Sequence, residues 1–173
     1  MSEPRRFPDE PAGPFSEPPL SFNDREGREI EIRPYEENDE EALVSMYVDF
    51  DPADRAQGIP PATEPRVRDW VNTLAEGLNV VAWHSDRIAG HATLVPGGND
   101  AYELAIFVHQ EYQRAGIGSH LIRTLLGYGR EQGIEKVWLT VERWNRAAVN
   151  LYRNVGFETA DAESFELEMV LRL

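Results

Sequence analysis

The stretch that most constrains this chain is Gln113-Arg114-Ala115-Gly116-Ile117-Gly118. It follows Ala101 to Val108, which reads as a strand, and it opens a helix-patterned segment from Ile117 to Gln132. Glycines at such a junction allow a tight turn and a close backbone approach. The free N–H groups of the helix start and the positive end of its dipole favour an anionic phosphate there, and a pyrophosphate is the expected guest. The same two glycines also suit plain turn chemistry. Two other phosphate-binding architectures do not fit. A dinucleotide fold wants a third glycine where Leu121 stands, together with repeated strand-helix units that are missing, and a P-loop wants Gly-Lys-Ser or Gly-Lys-Thr, which is absent.

Composition narrows the chemistry around that turn. The 173 residues, 41% of them hydrophobic, suit one domain with a core of ordinary size. With no cysteine, the chain has no disulfide, no thiolate metal site and no acyl-cysteine route for acyl transfer. No apolar run approaches the roughly 18 residues of a membrane helix and no signal-like segment opens the chain, so a soluble, cytoplasmic protein without a membrane partner is expected. A net charge of −14, with sixteen arginines and the single lysine Lys136, argues against a nucleic-acid partner. Such acidity suits a salt-rich cytoplasm, genomic base composition or attraction of a cationic amine, and a solvated acidic face accounts for charge runs as well.

Along the chain, Met1 to Gly27 carries six prolines with glycine and charged residues and reads as a mobile tail whose removal leaves folding intact. A domain spanning residues 28–173 follows. Ile30 and Ile32 alternate with charged residues in a strand from Arg28 to Arg33. Asn38 then caps a helix reaching Phe50, with Glu41 completing a capping-box-like pattern. After the Pro-rich loop Asp51 to Pro61, a second helix is expected from Glu64 to Glu76. Strands over Asn79 to His84, Arg87 to Val95 and Ala101 to Val108 form an antiparallel meander. The helix from Ile117 leads to a strand from Lys136 to Val141 and a helix from Arg146 to Asn154. A short strand from Phe157 to Ala160 and an alternating one around Phe165 to Arg172 end the chain.

Gln113 to Gly118 resembles the phosphate-binding pattern of the GNAT acetyltransferase superfamily: Gln or Arg, two residues, Gly, one residue, then Gly or Ala. Downstream, Asn145-Arg146-Ala147-Ala148-Val149-Asn150-Leu151-Tyr152 and Gly156-Phe157 resemble that family's second motif, an Asn opening a helix that carries a Tyr ahead of a Gly-Phe strand start. The resemblance covers Arg28 to Leu173 and is strongest from Tyr102 to Phe157. It implies an α/β (α+β) GNAT fold, a central mixed, mostly antiparallel sheet of about seven strands flanked by four helices and splayed where acetyl-CoA enters. It also implies acetyl-CoA as cosubstrate, with Gln113, Arg114, Ala115, Gly116, Ile117, Gly118 and Ser119 around the pyrophosphate.

By the same resemblance, the main chain of Phe107, Val108 and His109 holds the pantetheine arm, and the Val108 N–H polarises the thioester carbonyl, a fixed donor aimed at developing negative charge. Tyr152 is either a core aromatic with Val149 and Val155 or the general acid for the departing thiolate. A thiol with a pKa of about 8.5 leaves tolerably without help. Asn145 is a helix cap, a cofactor contact or both. Glu103 occupies the place of the Glu that serves as general base in GNAT protein-lysine acetyltransferases, and it reads equally as an ordinary polar strand residue. A base is wanted because an amine arrives protonated and only its neutral form attacks. His109 is a second-line base, directly or through water, or a strand-end residue facing solvent.

The implied activity is direct acetyl transfer in a ternary complex to a primary amine, either a protein lysine or a small molecule. The first two helices and the loop Asp51 to Pro61 would form the acceptor pocket. A non-catalytic acyl-CoA sensor or interaction module is the alternative, and a homodimer is compatible with the sequence.

Overall fold

Among the described residues, period-two and helical patterns become eight strands and four α-helices. The protein is described by a computed structural model covering residues 5–55, 59–162 and 165–173. Residues 1–4 of the expected tail and 56–58 of the expected acceptor loop lie outside the described residues. The elements are β1 (Leu20–Asn23), β2 (Glu29–Pro34), α1 (Glu40–Val48), α2 (Glu64–Leu74), β3 (Leu78–His84), β4 (Arg87–Pro96), β5 (Ala101–Val108), α3 (Ile117–Glu131), β6 (Lys136–Glu142), α4 (Arg146–Val155), β7 (Glu158–Ala162) and β8 (Glu166–Arg172). One sheet runs in the order β1-β2-β3-β4-β5-β6-β8-β7. Its pairs are antiparallel except β5 with β6, so the expected meander and the mixed, mostly antiparallel sheet are both present.

Alternation gives the sheet two different faces. On one, Ile30, Ile32, Val80, Leu94, Leu104, Val137 and Met169 pack against Leu121, Ile122 and Leu125 of α3. On the other, Val81 and Ile88, with Phe107 at the margin, meet Leu43, Tyr47, Val67 and Val71 of α1 and α2. That second cluster contains no residue of β6, β7 or β8, where the same face carries Trp138, Thr140, Glu166 and Glu168.

The feature that positions the site is the partial union of β5 and β6. They pair in parallel only over Ala101 to Glu103 and Lys136 to Trp138. Beyond Glu103 the strands diverge, and β5 remains tied to β4 alone through the register Leu94↔Leu104 to Gly90↔Val108. The sheet is therefore split like a V with its vertex at Glu103.

Three expectations need correction. Leu20–Asn23, placed in the mobile tail, is the edge strand β1, which raises the strand number from about seven to eight. Leu20 and Phe22 are half-buried while Ser21 and Asn23 are exposed, and this four-residue alternation is masked by the prolines before it. Phe22 stacks on His120 of α3 with centroids 3.9 Å apart, and the Ala12 N–H donates to the Arg172 carbonyl at 2.8 Å. A Cβ at Gly127 would stand 2.2 Å from the Ser16 carbonyl oxygen, so α3 accommodates this segment only where it lacks a side chain. Secondly, the first helix is not capped by Asn38. A 3₁₀ turn, Glu37–Asp39, precedes α1, and the Asp39 carboxylate accepts the Glu36 N–H at 2.9 Å. Thirdly, this helix ends at Val48, short of Phe50.

Candidate active site

The open arm of the V has unpaired backbone donors, and their identity follows from one hydrogen bond. The His109 N–H donates to the Ala89 carbonyl at 2.9 Å. Main-chain polar groups alternate between the two edges of a strand, so the N–H groups of Phe107, Ala105 and Glu103 also face β4. Those of Ile106 and Val108 face the gap, beyond the last pair with β6. Of the three residues expected to offer main chain to the pantetheine arm, Phe107 and His109 turn their N–H groups to β4, while Val108 and, unforeseen from the sequence, Ile106 turn theirs to the gap. The His109 carbonyl is also engaged, accepting the Tyr112 N–H at 2.8 Å.

The turn into α3 has the conformation a phosphate cradle needs. Arg114 and Gly116 have φ of +62° and +88°, the left-handed region, and Gly116 stands at the N-cap of α3 with no side chain capping it. The first N–H groups of this fifteen-residue helix therefore keep their donors, with the dipole behind them. Gly118 brings α3 against both neighbours, since a Cβ there would lie 3.7 Å from Ile106 and from Leu151 of α4. Ala115 and Ile117 are buried anchors, and Ser119 and Arg114 border the turn. Gln113 acts as a brace: its Nε2 donates to the Val108 carbonyl at 3.0 Å and to Asp54 Oδ2 at 3.1 Å, which ties the end of β5 to the loop after α1.

The order of the two free donors assigns their roles differently from the sequence reading. A pyrophosphate at Gly116 places the pantetheine arm back along β5, past Val108 first and Ile106 second. The donor nearest the thioester would then be the Ile106 N–H, with the Val108 N–H left for the arm.

Glu103 stands at the vertex, opposite Val95 on β4 and Trp138 on β6, half-buried on the face that carries Phe107. Burial raises its carboxyl above the ordinary range, while the Arg5 guanidinium opposes the rise. Ile106 stands three positions further along the strand, about 10 Å away, and Val108 five, about 16 Å away.

Tyr152 is 9% exposed, packed edge-on against Phe157 with centroids 5.9 Å apart, and burial pushes its hydroxyl up to about 12. The phenol is therefore protonated at neutral pH, as a proton donor must be. Asn145 caps α4, its Oδ1 accepting the Ala148 N–H at 3.3 Å.

His109 is not the solvent-facing residue expected. It is 1% exposed, its Nδ1 accepts the Glu111 N–H at 3.2 Å, and its Nε2 lies 2.9 Å from Asp49 Oδ2. With Nδ1 accepting, the neutral ring carries its proton on Nε2 and donates to Asp49, which leaves no lone pair for an ammonium. On the sheet face covered by α1 and α2 lies a second buried histidine, His91. Its Nε2 donates to Asn79 Oδ1 at 2.7 Å, because the Asn79 amide nitrogen is committed to the Leu74 carbonyl. Its Nδ1 then accepts the Tyr47 hydroxyl at 2.6 Å. Burial lowers its pKa to about 3, so the ring is neutral. Tyr47, Phe50 and Trp70 surround Phe107 edge-on at 5.6, 6.5 and 5.3 Å above this floor.

Arg5, Trp138 and Glu168 escaped the sequence reading. The outward phase of Trp138 in its strand was the available signal for one of them; Arg5 lay in a segment read as a tail.

The family model described as Acetyltransferase (GNAT) family matches residues 28–157. A [ribosomal protein bS18]-alanine N-acetyltransferase of Salmonella typhimurium is 32% identical over 83 residues, 48% of this chain and 56% of that protein, so the chain spans about half the length of this curated relative. Among solved structures, the GNAT domain of S. lividans PAT superposes with a TM-score of 0.75 at 19% identity, covering 90% of this chain and 97% of that one. A putative acetyltransferase from Salmonella typhimurium, solved with its cofactor acetyl-CoA, gives 0.66 at 19% identity, covering 83% and 94%. Both likenesses concern the fold.

Proposed function

The chain belongs to the GNAT acetyltransferase family, and we propose that it passes the acetyl group of acetyl-CoA directly to a primary amine held beside it, on a protein or a small molecule. One observation carries this reading: two unpaired N–H donors, Val108 and Ile106, lead from an uncapped helix N-terminus to the half-buried carboxylate of Glu103. Phosphate, amide arm and thioester each meet a donor in that order. The name of the bS18-alanine relative supports a protein amine among the acceptors, and a lysine side chain presents the same nucleophile.

In the reaction, Glu103 takes a proton from the ammonium through water, and the freed amine forms the C–N bond at the thioester carbonyl carbon. The Ile106 N–H stabilises the charge that gathers on the carbonyl oxygen. The C–S bond then breaks as the adduct's nitrogen loses its second proton to water. The thiolate takes a proton from solvent or from Tyr152, which water reprotonates, while Glu103 gives its proton to the bulk. His109 holds the Asp49 end of α1 in place and moves no proton.

Thiol release from acetyl-CoA with a panel of amines and amine-bearing peptides tests the reading. Release with at least one acceptor supports it; tight acetyl-CoA binding without release for any of them sinks it in favour of an acyl-CoA sensor. Because a thiolate leaves tolerably unaided, Tyr152→Phe should lower kcat only about tenfold with the KM for acetyl-CoA nearly unchanged. Loss of acetyl-CoA binding in that variant would instead assign Tyr152 to packing.

A further inference from the structure

The face of the sheet that α1 and α2 leave bare carries an aromatic ring flanked by carboxylates, and the chain itself has seated a cation on it. The guanidinium of Arg5 lies 3.5 Å from the ring centroid of Trp138 and pairs with Glu168. Trp138 is the cross-strand neighbour of Glu103 at the vertex of the V, and Glu168 pairs with Thr140 two residues further along β6. Glu103, Trp138 and Glu168 project from the same face, about 5 Å apart strand to strand. The segment that delivers Arg5 is tied down behind it: the Pro8 carbonyl accepts from Arg172 Nε, Lys136 Nζ lies 5.8 Å from the Phe7 ring, and the Ala12 N–H donates to the Arg172 carbonyl.

An aromatic face with a carboxylate at its rim is a recognition element for a cation. It adjoins the carboxylate assigned as base, and it stands in a chain of net charge −14. Resting on the acetyl-transfer reading above, we propose that Trp138 and Glu168 form the subsite for a second positive charge on the acceptor, and that Arg5 occupies this subsite in cis until the acceptor displaces it. The favoured substrates are primary amines carrying another cationic group a few atoms away, such as a diamine or a peptide with a neighbouring basic residue. Arg5 competes with that group and so raises the KM of dicationic acceptors; its charge beside Glu103 acts on monocationic and dicationic acceptors alike, so the ratio between them reports the subsite.

Two acceptors differing by one charge, n-pentylamine and 1,5-diaminopentane, test this on the full chain by thiol release. Arg5→Ala should raise the diamine-to-monoamine ratio of kcat/KM about fivefold, through the KM of the diamine, whatever change at Glu103 the two amines share. Glu168→Gln and Trp138→Leu should each lower the diamine-to-monoamine ratio by a similar factor. Turnover of both amines with the same ratio in wild type, Arg5→Ala and Glu168→Gln overturns the subsite. Failure to acetylate any amine counts against the transferase reading instead, and tryptophan emission then decides the subsite. Titrating 1,5-diaminopentane into Arg5→Ala should change the emission, and the change should vanish in Arg5→Ala combined with Trp138→Leu. Emission indifferent to the diamine in Arg5→Ala overturns the proposal.

Discussion

Replacing Gly116 by Asp is expected to weaken acetyl-CoA binding roughly 30- to 150-fold, the equivalent of about 2–3 kcal/mol. Two effects act together. The left-handed φ of +88° at this position strains any side chain, although the space is open, with Arg25 Nε the nearest atom at 3.7 Å from a Cβ. The larger effect is a carboxylate set against phosphates that the bare N–H groups of α3 would otherwise hold. Gly116→Ala carries the strain without the charge and should lose far less. Titration by calorimetry at low and high salt separates the two, because only the charge effect shrinks as salt rises. Equal affinity of wild type and a folded Asp variant would remove the phosphates from this turn.

Glu103→Gln should lower turnover at neutral pH on the order of a hundredfold while acetyl-CoA affinity holds. The side chain keeps its size and loses its basicity. Burial raises the Glu103 carboxyl, so the wild-type rate should rise with pH as that carboxyl ionises, at a pH above the ordinary Glu value of about 4.3. In the Gln variant this limb should disappear, and activity should climb only toward the acceptor's own pKa, about 10 for a lysine-like amine. A folded variant with wild-type turnover across the pH range would falsify the assignment. A variant that instead loses stability, with an unaltered pH profile, would make Glu103 a partner of Arg5 and nothing more.

The sequence revealed elements whose pattern is local. The strand from Ala101 to Val108 and the helix starting at Ile117 lie where alternation and the Gly116–Gly118 turn put them. What it hid depended on neighbours far along the chain. The direction of each N–H on β5 is decided by the register with β4, so Ile106 and Val108 could not be told from Phe107 and His109 by residue type. The burial of His109 depends on Asp49, sixty residues earlier. Composition misled at Leu20–Asn23, where prolines outweighed a four-residue alternation that only pairing with β2 makes stable.

The neutral ring of His91 has a consequence for how the protein fails in acid. Its folded pKa of about 3 lies below the ordinary histidine value of 6.5. Below pH 6.5 the unfolded chain takes up a proton that the folded chain refuses. Stability is therefore complete above that pH and drains away as it falls toward the folded value, by up to about 1.4 kcal/mol for each pH unit. Protonating Glu103 would halt turnover reversibly, as fast as the buffer changes. Losing the floor beneath Phe107 would be a cooperative melting, and the activity lost with it would return no faster than the chain refolds.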